Sequence, residues 1–224
     1  MTKTVLVVAA HADDEVLGCG GTIARHVAEG DSVHVVFLAD GVSSRTQFDQ
    51  SNLTERESAA ESARKMLGIQ KNYYLGLPDN SLDSIPLIKV IKSLEPIVSG
   101  IAPNIIYTHH CGDLNIDHRI THQAVLTACR PIPKSSVCEI YAFEVLSSTE
   151  WAASTTEPFL ANHYVDISEY LTTKLGALGA YQLEMRETPH SRSIQHVEYL
   201  AYHRGYTAGV AAAEAFVTIR VVRK

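Results

Sequence analysis

The chain has no surplus of positive charge: 19 Lys and Arg stand against 25 Asp and Glu, a formal charge of −6. A nucleic-acid partner needs a basic footprint, so that class of function is excluded. No apolar run reaches the about 18 residues needed to span a membrane. Met1 leads straight into "TKTVLVVAA", without a charged leader long enough for a secretory signal. The four cysteines, Cys19, Cys111, Cys129 and Cys138, form no C-x-x-C pair and no small-domain disulfide spacing. These absences predict a cytoplasmic protein with reduced thiols. Repeats, low-complexity segments and linkers are missing too, so 1–224 reads as a single domain able to bury a full core.

What the chain does hold in quantity is histidine, 11 in all. That makes a metal or acid–base site worth seeking. The pattern around these residues alternates. "VLVVAA" (5–10), "SVHVVFLAD" (32–40), "NYYLGL" (72–77), "NIIYTH" (104–109) and "CEIYAFEV" (138–145) read as strands. Helices are expected from "GTIARHVAEG" to a cap at Gly30, from Thr54, where Glu57 completes a capping box, across 85–100, and after His118. The polar stretch "GVSSRTQFDQSN" (41–52) reads as a loop. "ISEYLTTKLGALGAYQLEM" and "SIQHVEYLAYHRGYTAG" read as helices, followed by a late strand at "FVTIRVV". The fold class is α/β: a Rossmann-like three-layer sandwich with a mainly parallel sheet and a C-terminal helical elaboration.

In such a sheet, ligands bind beyond the carboxyl ends of the strands. The first strand delivers "HADDE" (11–15) to that edge and the fourth delivers "HHCGDLNIDHR" (109–119), so two His/Asp clusters roughly 100 residues apart are predicted to face each other. A dinucleotide does not suit the first turn. Gly18, Gly20 and Gly21 have the wrong spacing, and Asp13, Asp14 and Glu15 put negative charge where a pyrophosphate would sit. A cation resolves that conflict. Imidazole with carboxylate is a common catalytic zinc environment. "HADD" can supply a histidine ligand, a carboxylate ligand and a separate base, and "NIDH" a third ligand.

"AHADDEVLGCGGTIARHVAEG" resembles the N-terminal signature of the LmbE-like (PIG-L) zinc-dependent de-N-acetylases, usually A-H-P-D-D-E, with Ala12 in place of the proline. "DLNIDHR" (113–119) resembles their second signature, commonly H-P-D-H, with Asn115 in place of its first histidine. "FLADGVSSR", "TERESAAESARKMLGI", "LGLPDNSLD", "FEVLSSTEW" and "PHSRS" follow in family order, so the resemblance covers nearly the whole chain. It implies that His11, Asp14 and His118 hold Zn²⁺ (Fe²⁺ or Co²⁺ suit the same ligands) and that Asp13 is the general base. The implied reaction is hydrolysis of an N-acetyl group from an amino sugar or sugar conjugate by metal-activated water, releasing acetate. The implied partner is a small N-acetylated sugar, and a homo-oligomer stays open. Two alternatives remain beside it: an amidase or deacylase of a thiol conjugate or glycosylated natural product, and a metal- or sugar-binding module without turnover.

Asn115 can donate a hydrogen bond to an oxyanion but cannot transfer a proton near neutral pH, which leaves Asp13 to return the proton, with His110 or His190 as substitutes. Arg56, Asn115, His190 and Arg192 are candidate substrate contacts. Each has a plainer alternative: Arg56 a solvated ion pair on its helix, and "PHSRS" (189–193) a helix-entry turn capped by Ser193. His122 is expected behind His118 rather than on the metal. His109 and His110 should point in opposite directions, only one of them into the cleft. Tyr181, Tyr199, Tyr202 and Tyr206 are expected to pack in the core.

Overall fold

Successive residues of the first strand alternate sides, and both sides are buried. In the computed structural model, which describes residues 2–44, 49–152 and 157–223, β1 (Thr4–Ala9) sends Val5, Val7 and Ala9 into one core and Leu6 and Val8 into another. The run is continuously apolar because neither face meets water. β2 (Ser32–Ala39), β3 (Lys71–Leu77), β4 (Ile105–His109) and β5 (Glu139–Phe143) extend the same parallel sheet. Helices α1 (Asp14–Ala28), α2 (Gln50–Leu67), α3 (Leu87–Ile101) and α4 (Ile116–Ala128) connect them. α3 and α4 pack together, while α1 and α2 both meet α5 (Leu171–Leu178). α6 (Ile194–Ala208) completes the C-terminal helical part.

The sheet has seven strands in the order β3-β2-β1-β4-β5-β7-β6. β7 (Ala213–Val221) runs antiparallel to both β5 and β6 (His163–Asp166). This matches the expected Rossmann-like α/β class. β6 was not anticipated: "HYVD" is four residues long and half-buried throughout, so neither an apolar run nor a clean alternation marks it.

Two helix starts differ from expectation. α2 begins at Gln50, inside the stretch expected as loop, because Asp49 and Asn52 make a reciprocal cap: Asp49 accepts from the Ser51 N–H and Asn52 accepts from the Asp49 N–H. Thr54 therefore lies within the helix, and residues 45–48 of the expected loop lie outside the described residues. α4 begins before His118, capped by Asn115, whose Oδ1 accepts from the Asp117 N–H at 2.8 Å.

α1 is broken at Cys19, whose φ of −149° and ψ of 25° leave the helix. The glycines flanking the break permit close contact. A Cβ on Gly18 would lie 2.3 Å from the Phe143 ring on β5, and one on Gly21 would lie 2.8 Å from Ile167. At the break, Lys174 donates to the Leu17 carbonyl at 2.9 Å. Glu214 accepts from the Gly21 and Thr22 N–H groups at 2.9 and 2.7 Å, so β7 caps the second half of a helix near the opposite end of the chain. Among the described residues, no helix is long and apolar enough to cross a membrane.

Candidate metal centre and active site

β1 leads away to β2 on one side and β4 to β5 on the other, so the sheet's topological switch point lies between β1 and β4. That is where a crevice opens in a sheet of this kind. Val8 pairs with Thr108 there, and the next residues of both strands carry the two His/Asp segments side by side. The Ala10 N–H donates to His109 Nε2 at 2.8 Å, which occupies that lone pair and puts the ring's proton on Nδ1. His109 is thus a spacer rather than a ligand. Burial and the neighbouring His118 hold its pKa well below the ordinary histidine value. Its ring stacks on His118 with centroids 3.9 Å apart. His110 points elsewhere, to the Glu157 carbonyl at 2.9 Å.

Asp14 Oδ2 lies 3.3 Å from His11 Nδ1 and 3.3 Å from His118 Nε2. All three residues are buried, with ligand atoms within 4.8 Å of one another. The far nitrogen of each imidazole is held by carboxylate. His11 Nε2 meets Asp117 Oδ2 at 3.1 Å and Asp79 Oδ1 at 3.2 Å, and His118 Nδ1 meets Asp113 Oδ1 at 3.1 Å. Those carboxylates are themselves fixed. Asp117 accepts from the N–H groups of Asn80 and Leu82, and Asp113 from the Ser148 and Thr149 hydroxyls. Metal-binding histidines are oriented in this way, with the second nitrogen on a carboxylate.

The electrostatics agree with that donor set. Burial alone would lower the pKa of His11, but hydrogen bonds to Asp117, Asp14 and Asp79 hold it well above the usual value. For His118, Asp14 and Asp113 overcome burial and raise it to about 9. Burial would raise Asp14, yet His118, His109 and His11 hold it well below the usual carboxylate range. The cluster favours positive charge at its centre, and two nitrogens with one oxygen suit a borderline cation. A second group, His11, Asp79 and Asp117, shares His11 through its other nitrogen. A third, His26, Glu29 and Asp31, lies at the far end of α1, its carboxylates already engaged by Arg25 and the Lys3 N–H.

Asp13 stands apart from the trio. It occupies the N-cap position of α1 with φ of 133°, a backbone conformation that side-chain-bearing residues rarely adopt, and it is 1% exposed. Its carboxylate receives Arg192 Nη1 at 2.9 Å and Arg56 Nη2 at 3.4 Å. Burial raises its pKa, and the two guanidiniums pull in the opposite direction. The Asp13 N–H donates to Glu15 Oε2 at 2.9 Å, and Glu15 Oε1 accepts from the Tyr181 hydroxyl at 2.6 Å. Burial pushes Glu15 up to about 8.

The remaining sequence candidates fall into place around this core. Arg56 is buried rather than solvated, bonded also to the Gly41 carbonyl and Glu184. Arg192 reaches Ser147 Oγ as well as Asp13. Asn115 caps α4 and donates to Asn80 Oδ1 at 3.1 Å. His190 sits on an exposed turn and accepts from the Arg192 N–H, while Ser193 caps α6 through the His196 N–H. The His122 Nδ1–H donates to the His109 carbonyl at 2.8 Å, behind the trio. Of the four tyrosines expected in the core, Tyr181 is buried and Tyr202 half-buried, but Tyr199 and Tyr206 are exposed: α6 turns that face to solvent. Sequence reasoning gave no role to Asp79, Asp113, Ser148 or Thr149. All four lie in stretches singled out for family resemblance, but their partners are distant in sequence.

The fold and the site together define an α/β protein with a buried candidate His/Asp metal site at the switch point of its sheet. The family model "PIG-L: GlcNAc-PI de-N-acetylase" matches residues 6–129. The Escherichia coli (strain K12) protein "Uncharacterized deacetylase YaiS" is 30% identical over 182 residues, covering 79% of this chain and 89% of its own. A Bacillus cereus protein, "Probable N-acetyl-alpha-D-glucosaminyl L-malate deacetylase 2", is 29% identical over 203 residues, 86% of this chain and 90% of its own. The solved N,N'-diacetylchitobiose deacetylase from Pyrococcus horikoshii superposes with a TM-score of 0.78 at 22% identity, over 97% of this chain and 84% of that one, which shows the shared fold. The chain belongs to the PIG-L (LmbE-like) de-N-acetylase family and is, by family, a deacetylase.

Proposed function

We propose that this protein hydrolyses the N-acetyl group of an N-acetylglucosamine conjugate, with His11, Asp14 and His118 holding zinc and Asp13 acting as general base. The observation that carries the reading is the separation of roles between adjacent carboxylates. Asp14 faces both imidazoles, whereas Asp13 turns away from them and is held by two arginines. A module that only bound metal would have no use for a buried, unligated carboxylate one residue from a ligand. When bound, zinc supplies Lewis acidity to an amide carbonyl and to water.

The chain's own residues handle the protons. Asp13 accepts the proton of the attacking water on a carboxylate oxygen and returns it to the departing amine. Asn115 is committed to the cap of α4, which leaves Asp13 as the group that both takes and gives. Arg192 and Arg56 fix the Asp13 carboxylate while this happens. The family resemblance and the relatives named for N-acetylglucosamine conjugates support the substrate class.

The test is acetate release from N-acetylglucosamine, its glycosides, N,N'-diacetylchitobiose and nucleotide-linked N-acetyl sugars, alongside metal analysis. Acetate from at least one of them, with about one metal per chain, is expected. No acetate from any member of the panel would overturn the reading.

A further inference from the structure

Trp151 is the only tryptophan in the chain, and it is 52% exposed. A large indole left half in water on a short turn calls for an explanation, and the turn's attachments give one. The 3₁₀ turn Thr149–Trp151 is tied to the candidate site by its preceding residues. Ser148 and Thr149 donate their hydroxyls to Asp113, the carboxylate behind His118. Ser147 Oγ accepts from Arg192 Nε at 3.0 Å, and the same guanidinium reaches Asp13 at 2.9 Å. The Trp151 ring then meets His190, two residues before Arg192, edge to face at 5.7 Å between centroids.

One turn therefore fixes the partner of a metal-site histidine, contacts the arginine on Asp13, and ends in an exposed indole that meets His190. The surroundings of that indole are polar. Ser147, Ser191 and His190 are close by, and Glu150 accepts from the Ser147 and Ser148 N–H groups and from the Ser191 hydroxyl. A lipid chain would want a continuous apolar surface, which a single ring among serines does not provide. A pyranose ring offers one apolar C–H face and a rim of hydroxyls, which fits one aromatic face with donors and acceptors around it. The carboxylate of Glu150, the residue preceding Trp151 in the same turn, disfavours an anionic group.

We propose that Trp151, with His190 at its edge, is the platform for an uncharged second sugar ring, the one glycosidically joined to the N-acetyl sugar being hydrolysed. This rests on the function proposed above and narrows its substrate class to glycosides rather than free N-acetylglucosamine or anionic conjugates. Trp151 acts by binding and takes no part in the proton transfers.

Because no other tryptophan is present, indole emission reports on this position alone. Titration with N,N'-diacetylchitobiose should change that emission saturably, at lower concentration than N-acetylglucosamine does. Emission indifferent to the disaccharide would overturn the platform. In kinetics, Trp151→Ala should raise KM for the disaccharide roughly tenfold, leaving kcat and the monosaccharide's KM within about twofold, and Trp151→Phe should recover part of the loss. An equal rise for both sugars, or none for either, would also overturn it. If the native protein releases acetate from no sugar of the panel, the deacetylase reading fails, and the emission titration alone then decides the platform.

Discussion

Lys174 and Glu214 form a buried ion pair, Nζ to Oε1 at 2.5 Å, at the break in α1. Each partner also satisfies backbone that the break strips of helical bonds: Lys174 the Leu17 carbonyl, Glu214 the Gly21 and Thr22 N–H groups. Sequence positions 174 and 214 thus complete a helix whose first turn carries Asp14 and Glu15.

Removing one partner leaves an unpaired charge and open N–H groups in the interior. Glu214→Ala should cost about 3–5 kcal/mol of stability, and Lys174→Met a similar amount. The double variant should cost less than the sum of the two. Urea unfolding measures all three, and strictly additive losses would show that the pair is not coupled across the break.

Asp13→Asn should bind metal as the native chain does while kcat falls about 10²- to 10⁴-fold, the usual contribution of a general base. Metal analysis and initial rates on the best substrate of the panel check this together. Near-native turnover would move the base to another residue.

Asp113→Asn keeps the shape of the side chain but puts an amide N–H₂ among the Ser148 and Thr149 hydroxyls and the His118 ring. Loss of such a partner typically weakens metal affinity by about 10- to 100-fold. Competition against a chelator reads the change directly. An unchanged affinity would mean that Asp113 has no part in orienting His118.

Glu15 carries the clearest pH signature. Folded, burial keeps its proton on up to about 8, whereas the ordinary glutamate value is 4.5. The folded state thus binds the proton more tightly, and the resulting stability is fully present below about 4.5 and lost as pH rises through about 8. Glu15→Gln removes this dependence. Relative to that variant, the native chain should lose up to a few kcal/mol between pH 4.5 and 9. Unfolding curves of both proteins at matched metal concentration test it, and a constant difference across that range would refute it.

β1, β2, β4 and β5 were readable because each is a largely apolar run buried on both faces, and the alternation with helices placed "HADDE" and "NIDH" at one edge. The start of α2 was misread because Thr54 with Glu57 satisfies the same pattern as Asp49 with Asn52, and only the surrounding backbone chooses between them. The break in α1 was hidden for a different reason. Glycines read equally well as a helix start or as a close approach to Phe143 and Ile167, and those residues are far away in sequence. Asp79 and Asp113 were visible as acids in loops, but their work depends on His11, Ser148 and Thr149 meeting them in space. The exposure of Tyr199 and Tyr206 likewise depends on which face of α6 finds a partner.

The backbone at Asp13 sets stability against activity at a single position. With φ at 133°, an aspartate there costs on the order of 1–3 kcal/mol, whereas glycine tolerates positive φ without a Cβ clash. Asp13→Gly would relieve that strain, but it would remove the base and leave the Arg192 and Arg56 guanidiniums without their shared carboxylate. The two guanidiniums that fix the base thereby also hold its strained backbone in place, so catalytic position and local strain are secured by the same ion pairs.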